Sequence, residues 1–303
     1  MHSFRISGRR ALIVAFVLLS AGCSTVTTQQ LAEEYFNLGN AYFELGRYEQ
    51  SFDYYSRALE LSDSIPAAGF NLARLHEQRQ EWDAALSVIE DLRQADPSNG
   101  LYLETEAFLR YRNGEVASAR DLYADLIREY PERRRLRYNL GLLEMGADEP
   151  ERAWQALAGG LESARDAEDT AYLWLVAEAA WQTGRRDVAL RQLEVFRELV
   201  SDNPGEQGAL AGRLADWGYP LAALEILQQI PGEVDADPDL LFLTGRLYLE
   251  ATDDFERGLE ALVAAISAGF PSDDEEFGRL IEELPEDERE LVEQRIEELN
   301  PTR

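Results

Sequence analysis

A 34-residue period runs through the middle of this 303-residue chain and limits its fold more than any other feature. Leu38, Leu72 and Leu140 fall in one column of that period, and Gly39, Ala73, Ala107 and Gly141 in the next. Further along lie Ser51, Ala85, Ala119 and Ala153, then Tyr55, Ile89, Tyr123 and Leu157. Pro97 and Pro131 are also 34 residues apart, each just past a predicted helix, where a proline stops a helix without harm. A chain that repeats one apolar pattern cannot bury it inside a single copy. Copies must stack, so that each covers the next. The columns of small residues let two helices cross closely, and the Tyr55 column supplies the bulk between them. Gly46 suits the left-handed backbone that ends the first helix of a copy.

In "AEEYFNLGNAYFELGRYEQSFDYYSRALELSD", Tyr35, Leu38, Gly39, Tyr42, Gly46, Tyr48, Ser51, Tyr55 and Ala58 resemble the signature of the tetratricopeptide repeat, a helix-turn-helix unit. A second copy runs from Pro66, a third from Gly100 and a fourth from Tyr138, and a fifth spans about Thr170 to Asn203. Two degenerate copies follow, one cut short at Pro231 and one with an extra residue around Asp253–Asp254, ending near Pro271. The resemblance implies an all-α, right-handed α-solenoid over residues 31–271, with five clear and two degenerate repeats. Residues 272–303 read as two acidic helices broken at Pro285. Phe277, Leu280, Ile281, Leu284, Leu291 and Ile296 give them the apolar spacing of a terminal cap, a frayed acidic tail being the alternative. No Gly/Ser-rich or Pro-rich stretch marks a second domain.

At the N-terminus, Arg5, Arg9 and Arg10 precede the uncharged run "ALIVAFVLLSAG", which is too short to span a bilayer comfortably. The run ends at Cys23, the only cysteine in the chain. Ala21, Gly22 and Cys23 resemble the lipobox of bacterial lipoproteins, with Ser20 where leucine is usual. That resemblance implies a signal peptide over residues 1–22, a lipid on Cys23 and a polar tether over residues 23–30. Ser24 after the cysteine implies sorting to the outer membrane in a two-membrane bacterium, facing the periplasm; in a one-membrane bacterium the same anchor sits on the outer face of the plasma membrane. Two other readings stay open: cleavage near Ala21 or Gly22 that leaves a free thiol, and an uncut leader acting as a weak anchor.

The chain carries 58 acidic and 29 basic residues, and every basic one is arginine. Loss of residues 1–22, with their three arginines, takes the net charge from −29 to −32. Such a surface disfavours nucleic acid and anionic lipid, both of which are bound through basic side chains. Without lysine there is no Schiff-base chemistry and no Walker phosphate loop. With His2 in the leader, His76 is the one histidine left, expected to pack between helices, and neither a zinc site nor a nucleophilic triad can be assembled. The acidic runs at Asp273–Glu276 and Pro285–Glu290 read as solvated faces. No catalytic residue, metal or cofactor is expected.

Binding remains. In the resembling family the first helix of each repeat lines a groove that takes peptides or helices. By phase, the groove candidates are Phe36, Asn37, Asn40 and Phe43, then Phe70, Asn71 and Arg74, then Thr105 and Phe108, then Arg137, Tyr138 and Leu142. Half of the aromatics, Phe108 and Tyr138 among them, are expected to pack against the neighbouring repeat. Asn40 and Asn71 match the asparagines of the family's carboxylate clamp, but Phe36, Leu101 and Thr105 stand where its basic groups would be. Arg133, Arg134, Arg135 and Arg137 form the one basic cluster, paired with acidic helices nearby or docking an acidic partner segment. The expectation is an envelope scaffold for partner proteins or peptides. The alternative is a periplasmic accessory component of a solute transporter that binds a small ligand.

Overall fold

The computed structural model describes residues 27–230, 237–252 and 254–299. Cys23 with the leader before it, Pro231 and Asp253 lie outside those residues. Among the described residues there are seventeen α-helices and no strand, and no helix is long and apolar enough to cross a membrane.

The helices divide between two compact units, residues 1–149 and 150–303. The first unit holds α1 (Thr28–Glu44), α2 (Tyr48–Leu61), α3 (Pro66–Gln78), α4 (Trp82–Ala95), α5 (Gly100–Arg112), α6 (Val116–Glu129) and α7 (Arg134–Gly146). The second holds α8 (Pro150–Ala158), α9 (Leu161–Asp166), α10 (Thr170–Gln182), α11 (Arg186–Leu199), α12 (Pro204–Asp216) and α13 (Pro220–Gln229). It continues with α14 (Pro238–Ala251), α15 (Phe255–Ala268), α16 (Glu275–Glu283) and α17 (Glu286–Leu299).

Local chemistry fixes these boundaries. Thr27 and Gln30 close a capping box on α1: Gln30 N–H donates to the Thr27 hydroxyl at 3.1 Å, and Thr27 N–H donates to Gln30 Oε1 at 2.9 Å. Asn99, Asp169, Asn203, Asp237 and Asp274 accept backbone N–H groups at other helix starts, and Pro66, Pro204 and Pro238 open helices where no N–H is needed. The first helix of each of repeats one to four ends in a residue of positive φ, at Gly46, Gln80, Gly114 and Asp148. At each, two backbone bonds close a Schellman turn, as where Gly46 N–H donates to Phe43 O and Arg47 N–H to Tyr42 O.

The helix starts show how far the period extends. Pro66, Gly100 and Arg134 are 34 residues apart, and so are Thr170, Pro204 and Pro238. Arg134 and Thr170 are 36 apart, because the second helix of the fourth repeat breaks at Gly159–Gly160 and resumes as α9. The sixth repeat, although its sequence signature is weak, therefore keeps full length between successive helix starts.

Packing follows the columns. Between α1 and α2 the Ser51 hydroxyl donates to the Gly39 carbonyl at 2.9 Å, and a Cβ at Gly39 would lie 2.5 Å from the Tyr55 ring. Tyr55 and Ala58 share a core with Ala68, Leu72 and Leu75 of the next repeat; Ala85, Leu86 and Ile89 do the same with Tyr102 and Leu109. Each buried Leu or Ile among them contributes about 1.5–3 kcal/mol relative to exposure. In the second unit a core runs from Ala177 through Phe196, Leu210 and Trp217 to Leu247. At its far end Phe277, Leu280, Ile281 and Val292 of α16 and α17 cover Leu241, Phe242 and Leu262.

Candidate partner-binding groove

The first helices of repeats two, three and four line a groove of about 300 Å³ in the first unit. Its walls are Phe70, Arg74 and Glu77 from α3, Leu101, Glu104, Thr105 and Phe108 from α5, and Arg135 and Asn139 from α7. One turn of helix separates Phe70 from Arg74, and another separates Leu101 from Glu104 and Thr105, so each helix presents one face to the groove. Phe70 is anchored 6.2 Å from the Tyr102 ring. Phe108 packs on the core below and carries Arg112 over its ring at 5.8 Å. The Thr105 hydroxyl donates to Leu101 O at 2.8 Å within its own helix.

Glu104 organises the polar side. Only 8% exposed, it accepts from Arg135 Nη2 at 2.7 Å and from Asn139 Nδ2 at 3.2 Å. The hydrogen bond from Arg135 to Glu104 holds that guanidinium further toward its charged form, against burial. Burial also pushes the Tyr123 phenol far up, with Glu104 adding to the effect and a hydrogen bond from Asn139 opposing it. Beside the groove, Glu104, Glu132, Arg133, Arg134, Arg135 and Leu136 line a second concavity of about 340 Å³. The Glu104–Arg135 pair is common to both, so a basic shelf continues the apolar floor.

Of the residues singled out by sequence, Phe70, Arg74, Thr105 and Phe108 share this groove, and Arg134 lines the adjoining concavity. Those of the first repeat stand differently. Asn40 Oδ1 accepts from the Tyr55 hydroxyl at 2.7 Å and from Asn71 Nδ2 at 3.2 Å, and Asn71 also donates to the Tyr55 oxygen at 3.1 Å. The two asparagines are thus engaged with Tyr55 across the repeat boundary. Phe36 lies 5.9 Å from the Tyr55 ring and packs on the core. Phe43 sits between Tyr48 at 5.5 Å and the guanidinium of Arg74 at 5.2 Å, while Asn37 is exposed. Arg137 and Tyr138 are half-buried on α7, each already engaged in an interaction. His76 packs edge-on against Phe52 at 5.1 Å, with Nδ1 2.6 Å from Glu81.

The arginine cluster is largely committed inside the chain: Arg135 to Glu104, and Arg133 over the Tyr130 ring at 4.2 Å. Sequence reasoning missed Glu77, Glu104 and Asn139. Glu104 carried a readable signal, since it occupies the column of Phe36 and Phe70 and stands 31 residues before Arg135, close to one repeat.

Residues 32–64 and 105–168 match the sequence profiles of the tetratricopeptide repeat. An uncharacterized lipoprotein of Treponema pallidum is 36% identical over 96 residues, which is 32% of this chain and 49% of that protein. The chain therefore spans about half the length of that relative. Among solved structures, a tetratricopeptide repeat protein from Parabacteroides merdae aligns over 84% of this chain and 98% of its own, at 20% identity and a TM-score of 0.57. PilF of Pseudomonas aeruginosa aligns over 67% of this chain and 91% of its own, at 21% identity and a TM-score of 0.52. At such identities the likeness shows the fold, an all-α solenoid of helix-turn-helix repeats. With the 34-residue period and the paired helices, the chain carries tetratricopeptide repeats, matched by profile at residues 32–64 and 105–168.

Proposed function

We propose that this protein is a lipid-anchored scaffold of the bacterial cell envelope that holds a segment of a partner protein in the groove across α3, α5 and α7. The observation that carries the reading is the groove itself. An apolar floor of Phe70, Leu101 and Phe108 lies beside Arg74, Arg135, Asn139 and the buried Glu104. Aromatic anchors with flanking polar groups suit an extended peptide or an amphipathic helix, with apolar side chains below and polar groups satisfied at the rim. Asn37 and Phe43 of the first repeat, in the columns of Thr105 and Glu77, and Arg134 beside Arg135 extend the same face, whereas Arg137 stands two positions round α7 from Arg135; Phe36, Asn40 and Asn71 support it from within. The anchor rests on the layout before Cys23 and on the lipoprotein among the relatives. On this reading the lipid on Cys23 inserts in the outer membrane and the repeats face the periplasm, working in the assembly of an envelope complex.

Membrane fractionation of Cys23→Ser tests the anchor: the protein moves to the soluble fraction, and retention in the membrane refutes lipidation. Charge reversal of Arg134 and Arg135 to Glu tests the shelf, because it removes the partner of Glu104 and opposes any acidic segment. Partner recovery after crosslinking falls at least about tenfold, and unchanged recovery refutes the groove as the site.

One observation favours a second reading, in which the protein binds a small ligand for a solute transporter. A cavity of about 610 Å³, lined by Leu59, Val88, Leu92 and Tyr102 with Asp63, Asp91 and Asp96, lies within the size range of small-ligand sites. Native mass spectrometry of the protein from its own membrane decides: a bound small molecule lost on Val88→Trp supports it, and an empty cavity refutes it.

A further inference from the structure

The cavity of about 610 Å³ lies where the second repeat departs from its neighbours. Three of its lining residues, Gly69, Val88 and Asp91, stand one period after Tyr35, Tyr54 and Arg57. In the first repeat those two rings stack at 6.0 Å, and the Arg57 guanidinium lies 6.0 Å from each of them. Gly69 is the odd member of its column. The helices that start at Gly100, Arg134, Thr170, Pro204 and Pro238 carry Leu103, Arg137, Leu173, Gln207 and Leu241 at the same place. The second repeat thus exchanges two rings and a guanidinium for open space walled by Leu59, Val88, Leu92 and Tyr102. The charge changes sign with them. Asp63, Asp91 and Asp96 line the cavity, and none of the three forms an ion pair among the described residues. Asp96 accepts only from neutral groups, Asn99 Nδ2 at 3.1 Å and the Ser98 hydroxyl at 3.4 Å. One repeat on, Asp125 holds the place of Asp91 and pairs with Arg128 at 2.7 Å; the place of Arg128 is taken by Gln94 in the second repeat. The carboxylates of the cavity lack the cation that their neighbours have.

We propose that this cavity takes a small organic cation with an apolar body, of the class of aryl- or alkylguanidiniums and hydrophobic amines. The proposal rests on the reading of the cavity as a small-ligand site and names the chemical class of that ligand. Leu59, Val88 and Leu92 take the apolar body, in the manner of pockets that bury most of a ligand against hydrophobic walls. Asp63, Asp91 and Asp96 take the charge, and Tyr102 gives the wall a ring that a cation can face. An anion of the same shape meets three carboxylates and is repelled. A bare divalent ion fits less well, because the described residues hold no group of three or more acidic side chains close enough to share a metal. It would also leave the apolar walls without an occupant. The cavity is lined from α2, α3, α4 and α5 and the turns between them, and the inference stands whether or not the groove of α3, α5 and α7 binds a partner.

Calorimetric titration of the full chain with benzylguanidinium, its neutral isostere benzylurea and the anion phenylacetate separates charge from shape. Benzylguanidinium binds with a Kd of order 1 mM or tighter and at least about tenfold more tightly than benzylurea, while phenylacetate does not bind. D63N/D91N weakens benzylguanidinium about tenfold and leaves benzylurea unchanged. Val88→Tyr restores the ring that the first repeat has at Tyr54, fills the cavity and abolishes binding of both. A thermal melt by circular dichroism checks that the variant is folded; if the melt falls, Gly69→Leu, which restores the residue type of Leu103, takes its place. Equal binding of benzylguanidinium and benzylurea, both lost in V88Y, overturns the cationic class and leaves the cavity a small-ligand site. Binding of none of the three probes overturns the class and counts against the small-ligand reading as well. Benzylguanidinium binding that survives V88Y, or is unchanged in D63N/D91N, belongs to the acidic surface at large and overturns the proposal.

Discussion

Gln80→Gly should stabilise the first unit, and the structure sets the size of the effect. Residues 46, 80, 114 and 148 occupy one turn position, with φ of 68°, 60°, 84° and 57°. Glycine fills two of these and Gln80 and Asp148 the others. At Gln80 the turn closes as at the glycines: Gln80 N–H donates to Glu77 O and Glu81 N–H to His76 O, both at 2.9 Å. A Cβ built on Gly46 or Gly114 meets nothing within 4 Å, so the position restricts the backbone and not the space. An L-residue in the left-handed region costs about 1–2 kcal/mol. The freedom that glycine adds to the unfolded chain takes back roughly 0.5–1 kcal/mol. The net gain is about 0.5–1 kcal/mol, a rise in Tm of about 2–4 °C. Gly114→Gln should lose about the same, and the double variant should return close to the starting stability because the sites share no partner. Urea unfolding followed by circular dichroism reads all three. A midpoint for Q80G at or below that of the parent, or a neutral G114Q, would refute the reasoning.

Gly39→Ala places a methyl 2.5 Å from the Tyr55 ring and should cost about 1–3 kcal/mol, seen as an earlier urea midpoint. Tyr55→Phe leaves the Asn40 and Asn71 amides without the hydroxyl that joins them and should cost about 1 kcal/mol in the same assay. Glu178 gives a pH dependence: burial raises its pKa above the ordinary carboxylate value, Arg213 pulls it down and Asp216 adds to the rise. The folded chain therefore takes up this proton at a higher pH than the unfolded chain does. The stability of the second unit should rise as pH falls through the raised folded value, with the gain complete below the unfolded value. Glu178→Gln should flatten that part of the profile in melts taken between neutral pH and the ordinary carboxylate range; an unchanged slope would show that the group titrates normally.

The period was legible because small and bulky residues recur wherever two helices cross, as Gly39, Ser51 and Tyr55 show. The turn was legible at Gly46 and hidden at Gln80 and Asp148, where the same backbone hydrogen bonds close without glycine. The longer spacing of the fourth repeat was not read from sequence; it arises where Gly159–Gly160 interrupts the second helix. The sixth repeat was read as cut short at Pro231, and α13 stops at Gln229 after ten residues, while Pro204 and Pro238 keep the spacing of helix starts. Buried carboxylates were least visible. Glu106 and Glu144 are 1% and 2% exposed, the first between Arg93 and Arg110 and the second gripped by both nitrogens of an Arg120 fork. Composition counts such groups as surface charge. Only their columns, where Leu38 and Leu72 precede Glu106, mark them as interior, and an arginine from the repeat before supplies the counter-charge. In the groove, the aromatic and basic residues could be phased from sequence, but the Glu104–Arg135–Asn139 link depends on how α5 meets α7.

A photo-crosslinking amino acid at Thr105, in protein anchored in its native membrane, asks most directly whether a partner segment lies across α3, α5 and α7. Thr105 lines the groove, and Asp125 on α6, exposed outside it, serves as the comparison. Adducts with a partner protein should form from position 105, vanish when Phe70→Asp and Arg135→Glu are added, and be absent from position 125. Adducts of equal yield from both positions, or none from position 105, would contradict the assignment of the groove as the binding site.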